Sequence, residues 1–306
     1  MEAHLSMKYT NTNNICSQIV DAIQNDDYDV PRNENVLPAH ALFTPVKQTV
    51  LKQRHDDEIV TDVADEVWSL LGRAVHYILS KNKSEDVVIE TRVEAPLIIG
   101  EKEYAITGKP DYFDTKTGVL HDFKITSTWS YIFGIKEGKI EWEQQLNIYA
   151  WILRQNGHTV NKLVITAILR DWQQREAQNN ADYPPVQVVD IDIPLWSETE
   201  QHLYIMNRVT QLSMARSQPD NDITVCSERE RWRKPDSWAI FKNSNVKATK
   251  VFHNQEDLAY YLKDNKQEFR VEERKGEDRR CTGYCSCNLW CNYFKDNYLR
   301  KEEACQ

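Results

Sequence analysis

Acidic and basic side chains recur at short spacing in the segment GKPDYFDTKTGVLHDFKIT, residues 108–126. Asp111 follows a proline near a predicted strand end, and Asp122 and Lys124 stand two positions apart on the next predicted strand. Successive side chains of a strand point to opposite faces, so Asp122 and Lys124 share one face and Phe123 lies on the other. The TKTG turn predicts a hairpin that brings Asp111 beside Asp122. Two carboxylates beside an ammonium group are typical of metal-assisted phosphodiester hydrolysis with Mg²⁺ or Mn²⁺.

A helix predicted before this segment could contribute further side chains to the same site. Apolar residues recur at helical spacing over 59–79, with Thr61 or Asp62 as the cap candidate. His76 follows Gly72 by four positions on this helix, and its neutral imidazole is a candidate metal ligand. A glycine inside a helix costs about 1 kcal/mol relative to alanine, so we attribute Gly72 to close packing or to a ligand.

A second helical pattern follows over residues 141–155 and ends at Gly157. Gln145 and Tyr149 lie at positions i and i+4 of this helix and therefore share one face. Glu90 and Glu94 stand on the strand pattern that precedes the hairpin, and we interpret them as a solvated face, with the alternative that one of them joins the site.

The order of predicted elements is helix, three or four strands, helix, strand, strand, helix. This order favours an α/β fold of the α+β kind, with a mixed sheet flanked by helices. The predicted strands and the last helix cover residues 87–99, 104–114, 119–126, 162–170, 186–194 and 196–216. After residue 219 the pattern changes to a small hairpin over 238–252, a helix over 255–263, a strand near 268–273 and a cysteine-rich segment.

Composition excludes several classes of protein. The chain has 306 residues, a formal net charge of −9, and only 9 glycines and 10 prolines, which argues against a disordered or collagenous chain. No apolar run approaches the ~18 residues of a membrane span, and the start of the chain lacks a secretory signal pattern. We therefore expect a cytoplasmic protein with no membrane partner.

The charge is uneven, because residues 229–250 hold seven basic residues against two acidic ones, interleaved with aromatic rings. Such a segment is either a track for nucleic acid or a solvated face over a small apolar patch.

Four of the seven cysteines crowd residues 281–291 with the spacing C-x3-C-x1-C-x3-C. In a reducing compartment this crowding indicates metal ligation more than disulfides. The spacing fits a plain zinc ribbon poorly. Thiolates at irregular spacing can also bind an iron–sulfur cluster.

Five of these pieces, in this order, resemble the PD-(D/E)XK nuclease superfamily and more narrowly its RecB-like exonuclease branch. They are the G-x-x-x-H of Gly72 and His76, the GKPD and HDFK segments, and the Q-x-x-x-Y of Gln145 and Tyr149. The resemblance spans roughly residues 40–225. It implies a restriction-endonuclease-like core over residues 36–225, preceded by a polar arm over 1–35 and followed by a C-terminal module over 226–306.

The resemblance also implies roles for single residues. Asp111, Asp122 and His76 would ligate the metal, together with the backbone carbonyl of Phe123. Lys124 would position the attacking water, and Gln145 and Tyr149 would support the site or the DNA backbone.

Some RecB-like nucleases, including those of the AddB type and of CRISPR adaptation, carry a similar C-terminal cysteine trio that holds a 4Fe–4S cluster. The resemblance points to Cys281, Cys285 and Cys291 as the trio, with zinc as the alternative to the cluster. The family's fourth cysteine precedes the core, where this chain has Cys16 in a polar segment. We prefer Cys226 as the fourth ligand, with Cys287 as the alternative, and expect Cys305 to be a free thiol.

These expectations converge on a metal-dependent DNase of the stand-alone, phage-like kind. Its substrate would be single- or double-stranded DNA ends, and by analogy its partner would be a recombination protein. A catalytically inactive DNA-binding or assembly protein of the same fold and an enzyme acting on RNA are the alternatives. Exonuclease or endonuclease action and strand polarity stay open.

Overall fold

The computed structural model describes residues 8–25, 33–81, 84–242, 245–265 and 267–300. The chain forms two compact units, Met1–Ser217 and Gln218–Gln306. The predicted boundary lay at 225/226, later in the chain. The predicted polar arm begins outside the described residues, and its described part contains one short strand and one helix.

The first unit contains ten strands and eight helices within the described ranges. The strands are β1 Lys8–Thr10, β2 Val36–Pro38, β3 Val60–Asp62, β4 Val87–Val88, β5 Val93–Ile99, β6 Lys102–Gly108, β7 Tyr112–Asp114, β8 Val119–Thr126, β9 Lys162–Leu169 and β10 Val188–Ile193. The helices are α1 Ser17–Gln24, α2 Ala39–Phe43, α3 Val46–Arg54, α4 Val63–Leu79, α5 Thr128–Glu137, α6 Ile140–Gln155, α7 Gln174–Asn179 and α8 Glu198–Arg216. The predicted α/β class, with mixed sheets flanked by helices, is confirmed.

A five-stranded sheet with the order β10-β9-β8-β7-β4 forms the centre of this unit. Strands β8 and β9 are parallel, and the other pairs are antiparallel. Helix α6 packs on the sheet through buried side chains that include Leu146, Ala150 and Leu153, which meet Leu120 of β8 and Ile165 of β9 in one apolar core. This packing fixes the angle at which α6 presents its remaining side chains to the end of β8.

The strand predicted over residues 104–114 is in fact two strands in two different sheets. Strand β6 pairs with β2 and β5, whereas β7 pairs with β4 and β8. The break at 109–111 contains Pro110, which has no N–H to donate to a sheet ladder. The break places Asp111 at the junction of the two sheets.

The predicted α4 begins as expected, because the carboxylate of Asp62 accepts a hydrogen bond from the N–H of Ala64 at 3.0 Å. Gly72 was attributed to close packing or to a ligand. The close-packing explanation is wrong, since a Cβ built at Gly72 meets no atom within 4 Å. Gly108 is the glycine that close packing requires. A Cβ at Gly108 would lie 2.7 Å from Cε1 of Tyr149 and 3.1 Å from Cδ1 of Ile152.

The two glycines give a matched pair of alanine substitutions with opposite expected signs. Gly72→Ala should raise the free energy of unfolding by about 1 kcal/mol, because it removes the helix penalty of glycine without a clash. Gly108→Ala should lower it by about 1–3 kcal/mol, because the Tyr149 ring must move. Denaturant unfolding of both variants measures the two shifts, and equal shifts of the same sign would contradict this assignment.

The second unit is smaller and has its own apolar core. Its strands are β11 Arg233–Lys234, β12 Ser237–Lys242, β13 Lys250–Phe252, β14 Phe269–Arg274 and β15 Glu277–Asp278, and its helices are α9 Gln255–Asp264, α10 Arg279–Gly283 and α11 Asn292–Phe294. A 3₁₀ turn, Asn288–Trp290, and a π-helical turn, Lys295–Leu299, complete it. The predicted hairpin is β12 and β13, and β14 pairs with the other edge of β12. Ile240, Phe252 and Leu258 form the centre of its core.

None of the helices in the described ranges has the length and apolar character needed to cross a bilayer.

Candidate metal centre and cysteine cluster

Three side chains, one from helix α4 and two from connecting segments, meet at the break between β6 and β7. Nδ1 of His76 on α4 lies 2.9 Å from Oε1 of Glu90 and 3.3 Å from Oδ1 of Asp111. One donor atom of each residue lies within 4.8 Å of those of the other two. An imidazole nitrogen and two carboxylate oxygens form a donor set that can hold a divalent cation.

Glu90 belongs to this triad, so its interpretation as part of a solvated face is wrong. It has a φ of 45°, a left-handed conformation that side chains other than glycine rarely adopt. Its N–H donates to the carbonyl of Pro110 at 3.0 Å, which brings it beside Asp111. Its partner in the prediction, Glu94, is exposed on β5. A backbone outlier of this kind, held by neighbouring structure, is common at functional sites.

The side chains of the triad shift one another's pKa values. Hydrogen bonds to Asp111 and Glu90 raise the pKa of His76 to about 10. Burial acts to raise the pKa of Glu90, but hydrogen bonds from His76 and Lys109 outweigh burial and lower it. Lys109 contributes through its Nζ, which lies 2.6 Å from Oε2 of Glu90. The metal-free triad therefore holds a protonated imidazole between two carboxylates.

A second cluster lies on β8 and α6. Nζ of Lys124 lies 2.7 Å from Oδ2 of Asp122 and donates to Oε1 of Gln145 at 3.0 Å. Nε2 of Gln145 donates to Oδ1 of Asp122 at 2.7 Å, so the three side chains close a ring of contacts. Asp122 is 1% exposed, and this burial raises its pKa to about 6 against the opposing effect of Lys124.

The two clusters are joined through the backbone of β8. The N–H of Phe123 donates to Oδ2 of Asp111 at 2.7 Å, and the Phe123 ring meets the His76 ring edge to face at 6.4 Å. Repulsion from Asp111 also acts to raise the pKa of Asp122. Asp122 itself is not part of the triad of converging donors. Of the predicted support residues, Gln145 contacts Asp122 and Lys124, whereas Tyr149 packs at Gly108.

Lys139 adds a further positive charge near Lys124, and the sequence pattern did not indicate it. Its Nζ donates to Oγ of Ser130 at 2.5 Å and lies 4.3 Å from the centre of the Trp142 ring. Burial, and to a lesser extent repulsion from Lys124, lower the pKa of Lys139.

In the second unit, the cysteine side chains come close enough to influence one another. Burial, then Glu230, Cys291 and Cys285, raise the pKa of Cys226 to about 12. Burial, then Asp278, Cys285, Cys226 and Cys291, raise the pKa of Cys281 to about 12. Cys226 therefore lies in the same environment as the predicted trio.

Cys287 lies in this environment as well. Its Sγ is 3.6 Å from Sγ of Cys285, and its residue is fully buried. The contact lowers the pKa of Cys285 to about 7 and raises that of Cys287. Both candidates for the fourth ligand are thus near the trio. Cys16 is exposed in the first unit, and Cys305 lies outside the described residues.

A buried carboxylate anchors the backbone around these cysteines. Asp278 is fully buried and accepts hydrogen bonds from the hydroxyls of Tyr293 at 2.8 Å and Tyr298 at 2.9 Å. Nε of Arg231 donates to the same carboxylate at 3.2 Å, and its guanidinium also donates to the carbonyl of Cys226. These contacts tie the segments that carry Cys226 and the trio to one point.

The fold was compared with known families, curated proteins and solved structures. No family model matches the chain, and no curated protein matches it. The chain is similar to the solved structure described as "Crystal structure of SSO0001", with 15% sequence identity and a TM-score of 0.46, over 66% of this chain and 86% of that one.

Proposed function

We propose that this protein is a metal-dependent nuclease that hydrolyses phosphodiester bonds of DNA, acting as an exonuclease on DNA ends. The observation that supports this proposal is the convergence of His76, Glu90 and Asp111 beside the Asp122–Lys124 pair. Carboxylates, an imidazole and an ammonium group from α4, β8 and two connecting segments come together near the junction of the two sheets. That set supplies both metal ligands and a charged group for the reacting phosphate.

The residues fit a divalent cation by two observations. The donors of the triad are two carboxylate oxygens and one imidazole nitrogen, which suit Mn²⁺ or Mg²⁺. Oδ2 of Asp122 is buried and has no well-directed hydrogen bond among the described residues, although Lys124 lies 2.7 Å away. The Lys124 ammonium offsets only part of the cost of this buried charge, since the pKa of Asp122 is still raised, and a divalent cation nearby would offset more. His76, Glu90 and Asp111 would hold the ion, with Asp122 next to it.

A divalent cation bound there would polarise a phosphoryl oxygen and lower the pKa of a water molecule. The protein's own residues do the rest. Gln145 holds the Lys124 ammonium by its carbonyl and Asp122 by its amide, so the ammonium keeps one position relative to the carboxylate. From there Lys124 can orient a water molecule and stabilise negative charge that develops on the phosphate. The strained backbone at Glu90 keeps its carboxylate turned toward His76.

The alternative is a DNA-binding protein of the same fold that lacks catalysis. Such a protein has no need to keep an ammonium group and a buried carboxylate in contact. Burying Asp122 disfavours its charged form, as its raised pKa indicates. The presence of the whole set, at a cost in stability, favours the enzyme.

We also propose that Cys226, Cys281, Cys285 and Cys291 hold an iron–sulfur cluster, with Cys287 as the alternative fourth ligand. The all-sulfur donor set in a largely buried environment supports a soft-metal group. Anaerobically prepared protein should be brown and absorb near ~400 nm. A colourless protein with stoichiometric zinc would contradict the cluster.

The nuclease proposal predicts that the protein degrades end-labelled DNA only when Mg²⁺ or Mn²⁺ is added. Glu90→Gln keeps the size and hydrogen-bonding capacity of the side chain but removes one anionic ligand. It should raise the Mn²⁺ concentration required for half-maximal activity by about tenfold or more. Assays on single-stranded DNA, double-stranded DNA and RNA in parallel measure the substrate preference.

The matched control is Glu94→Gln, because Glu94 is exposed on β5 and was the predicted equivalent of Glu90. Its metal requirement should equal that of the wild type. Metal-independent degradation, or the same change in both variants, would contradict the assignment of the site. Degradation of RNA but not of DNA would show that the substrate is RNA.

A further inference from the structure

The second unit has a tryptophan at a backbone position that usually holds glycine. Trp232 has a φ of 53°. The N–H of Trp232 donates to the carbonyl of Arg229 at 3.0 Å. The N–H of Arg233 donates to the carbonyl of Glu228 at 2.9 Å. This pair of hydrogen bonds is the Schellman arrangement that ends a helical turn. Its left-handed residue is commonly glycine, because a Cβ is strained there.

Hydrogen bonds on both sides hold Trp232 in this conformation. Oγ of Ser227 accepts from the N–H of Glu230 at 3.3 Å, and Oε2 of Glu230 accepts from the N–H of Ser227 at 2.8 Å. The carbonyl of Arg231 accepts from the N–H of Arg280 at 3.1 Å. The turn would form with glycine at 232 at lower cost, so the indole has a use other than forming the turn.

The indole is displayed together with two other side chains. Trp232 is 40% exposed and Tyr284 is 72% exposed, and their rings meet edge to face at 5.3 Å. The guanidinium of Arg280 lies 4.1 Å from the centre of the Trp232 ring. We call Trp232, Tyr284 and Arg280 the aromatic platform.

Exposed positive charges flank the platform along the chain. Arg229, Lys234 and Arg279 are exposed, and within the described residues none of them forms an ion pair. Arg231 and Arg233, in contrast, are engaged by the buried Asp278. The charges next to the platform are therefore available to a ligand.

We propose that the aromatic platform is a binding site for single-stranded DNA. Two bases would stack, one on each exposed ring, since every base has a π-face and the rings of Trp232 and Tyr284 are inclined at 66°. Neighbouring phosphates would lie near Arg229, Lys234 and Arg279 and displace counterions there. The platform belongs wholly to the second unit, whereas the His76–Glu90–Asp111 triad belongs to the first. The choice of DNA rests on the proposed function, but the stacking site requires no catalysis.

The test is binding of a fluorescently labelled oligothymidylate of about 20 nucleotides, a length that covers a single-strand site. Anisotropy is measured with the full chain, without added Mg²⁺ or Mn²⁺, at two salt concentrations. Trp232→Ala and Tyr284→Ala should each weaken binding about tenfold, whereas Trp232→Phe should retain most of the affinity. Tyr260→Ala is the matched control, because Tyr260 is 76% exposed on α9 of the same unit.

A second variant separates a folding defect from the loss of a base contact. Trp232→Gly supplies the residue that the turn prefers, so it should unfold at the same or higher denaturant concentration than the wild type, yet bind DNA as weakly as Trp232→Ala. Wild-type affinity in both variants would overturn the proposal. So would preferential binding of the matching oligouridylate. No divalent cation is added, so the binding result does not depend on whether the nuclease assay succeeds.

Discussion

Asp122→Asn should abolish metal-dependent DNA hydrolysis while making the metal-free protein more stable. Asp122 is 1% exposed, and the exclusion of water raises its pKa to about 6. Asparagine keeps the shape but removes the anionic oxygen beside Lys124. We expect activity to fall on the order of 10³-fold, as when a charge-stabilising group is removed from an active site.

The stability change follows from the same pKa. A carboxyl group whose pKa is raised on folding stabilises the folded state most below its unfolded value, near pH 3.8, and this contribution is lost as the pH rises to about 6. At neutral pH the buried charge therefore lowers the free energy of unfolding, and Asp122→Asn removes this penalty. Denaturant unfolding without divalent cations, at pH 4 and pH 7, measures whether the variant has lost this pH dependence.

Lys124→Met should be equally inactive, because it removes the ammonium group that orients water in the proposed mechanism. The matched control is Asp192→Asn on β10 of the same sheet. The Asp192 side chain is 73% exposed and pairs with Lys162 at 2.8 Å. Full activity in the Asp122 variant, or an equal loss in the Asp192 variant, would refute the catalytic assignment.

Binding of Mn²⁺ should release close to one proton from the protein at pH 8. Hydrogen bonds to Asp111 and Glu90 raise the pKa of His76 to about 10 in the metal-free site. An imidazole binds a metal ion only in its neutral form, so the ion must displace that proton. The apparent affinity for Mn²⁺ should therefore rise about tenfold per pH unit between pH 7 and pH 9.

Calorimetric titration with Mn²⁺ in two buffers of different ionisation enthalpy counts the released protons. His76→Gln should release none and bind the ion weakly. His121→Gln is the control, since His121 lies on β8 and contacts Thr166 at 3.1 Å, on the sheet face opposite Asp122. Proton release that persists in the His76 variant would contradict its role as a ligand.

The same pKa sets a pH dependence for the metal-free fold. A histidine whose pKa is raised on folding contributes its full stabilisation below pH 6.5, and this is lost as the pH rises through about 10. In the His76→Gln variant, the free energy of unfolding should vary less between these two pH values.

Local patterns predicted the elements that carry most of the site. Helices α4 and α6 and the hairpin of β7 and β8 follow from periodicity and turn residues that lie within a few positions of one another. The shared face of Asp122 and Lys124 also follows, because strand alternation acts over two residues. Short helices such as α2, α3 and α5 lack a long apolar repeat, so nothing in the local pattern indicated them.

Tertiary structure decided which side chains meet. Glu90 meets His76 and Asp111 only because the chain turns through a positive φ and bonds to Pro110, which strand alternation does not anticipate. Gly72 contacts nothing, whereas Gly108 is confined by a ring from a helix about 40 positions later. The sequence by itself determined which chemical groups this protein has and the local elements that carry them. Their distances and burial, and hence the pKa values of His76 and Asp122, arise from contacts between residues far apart in the chain.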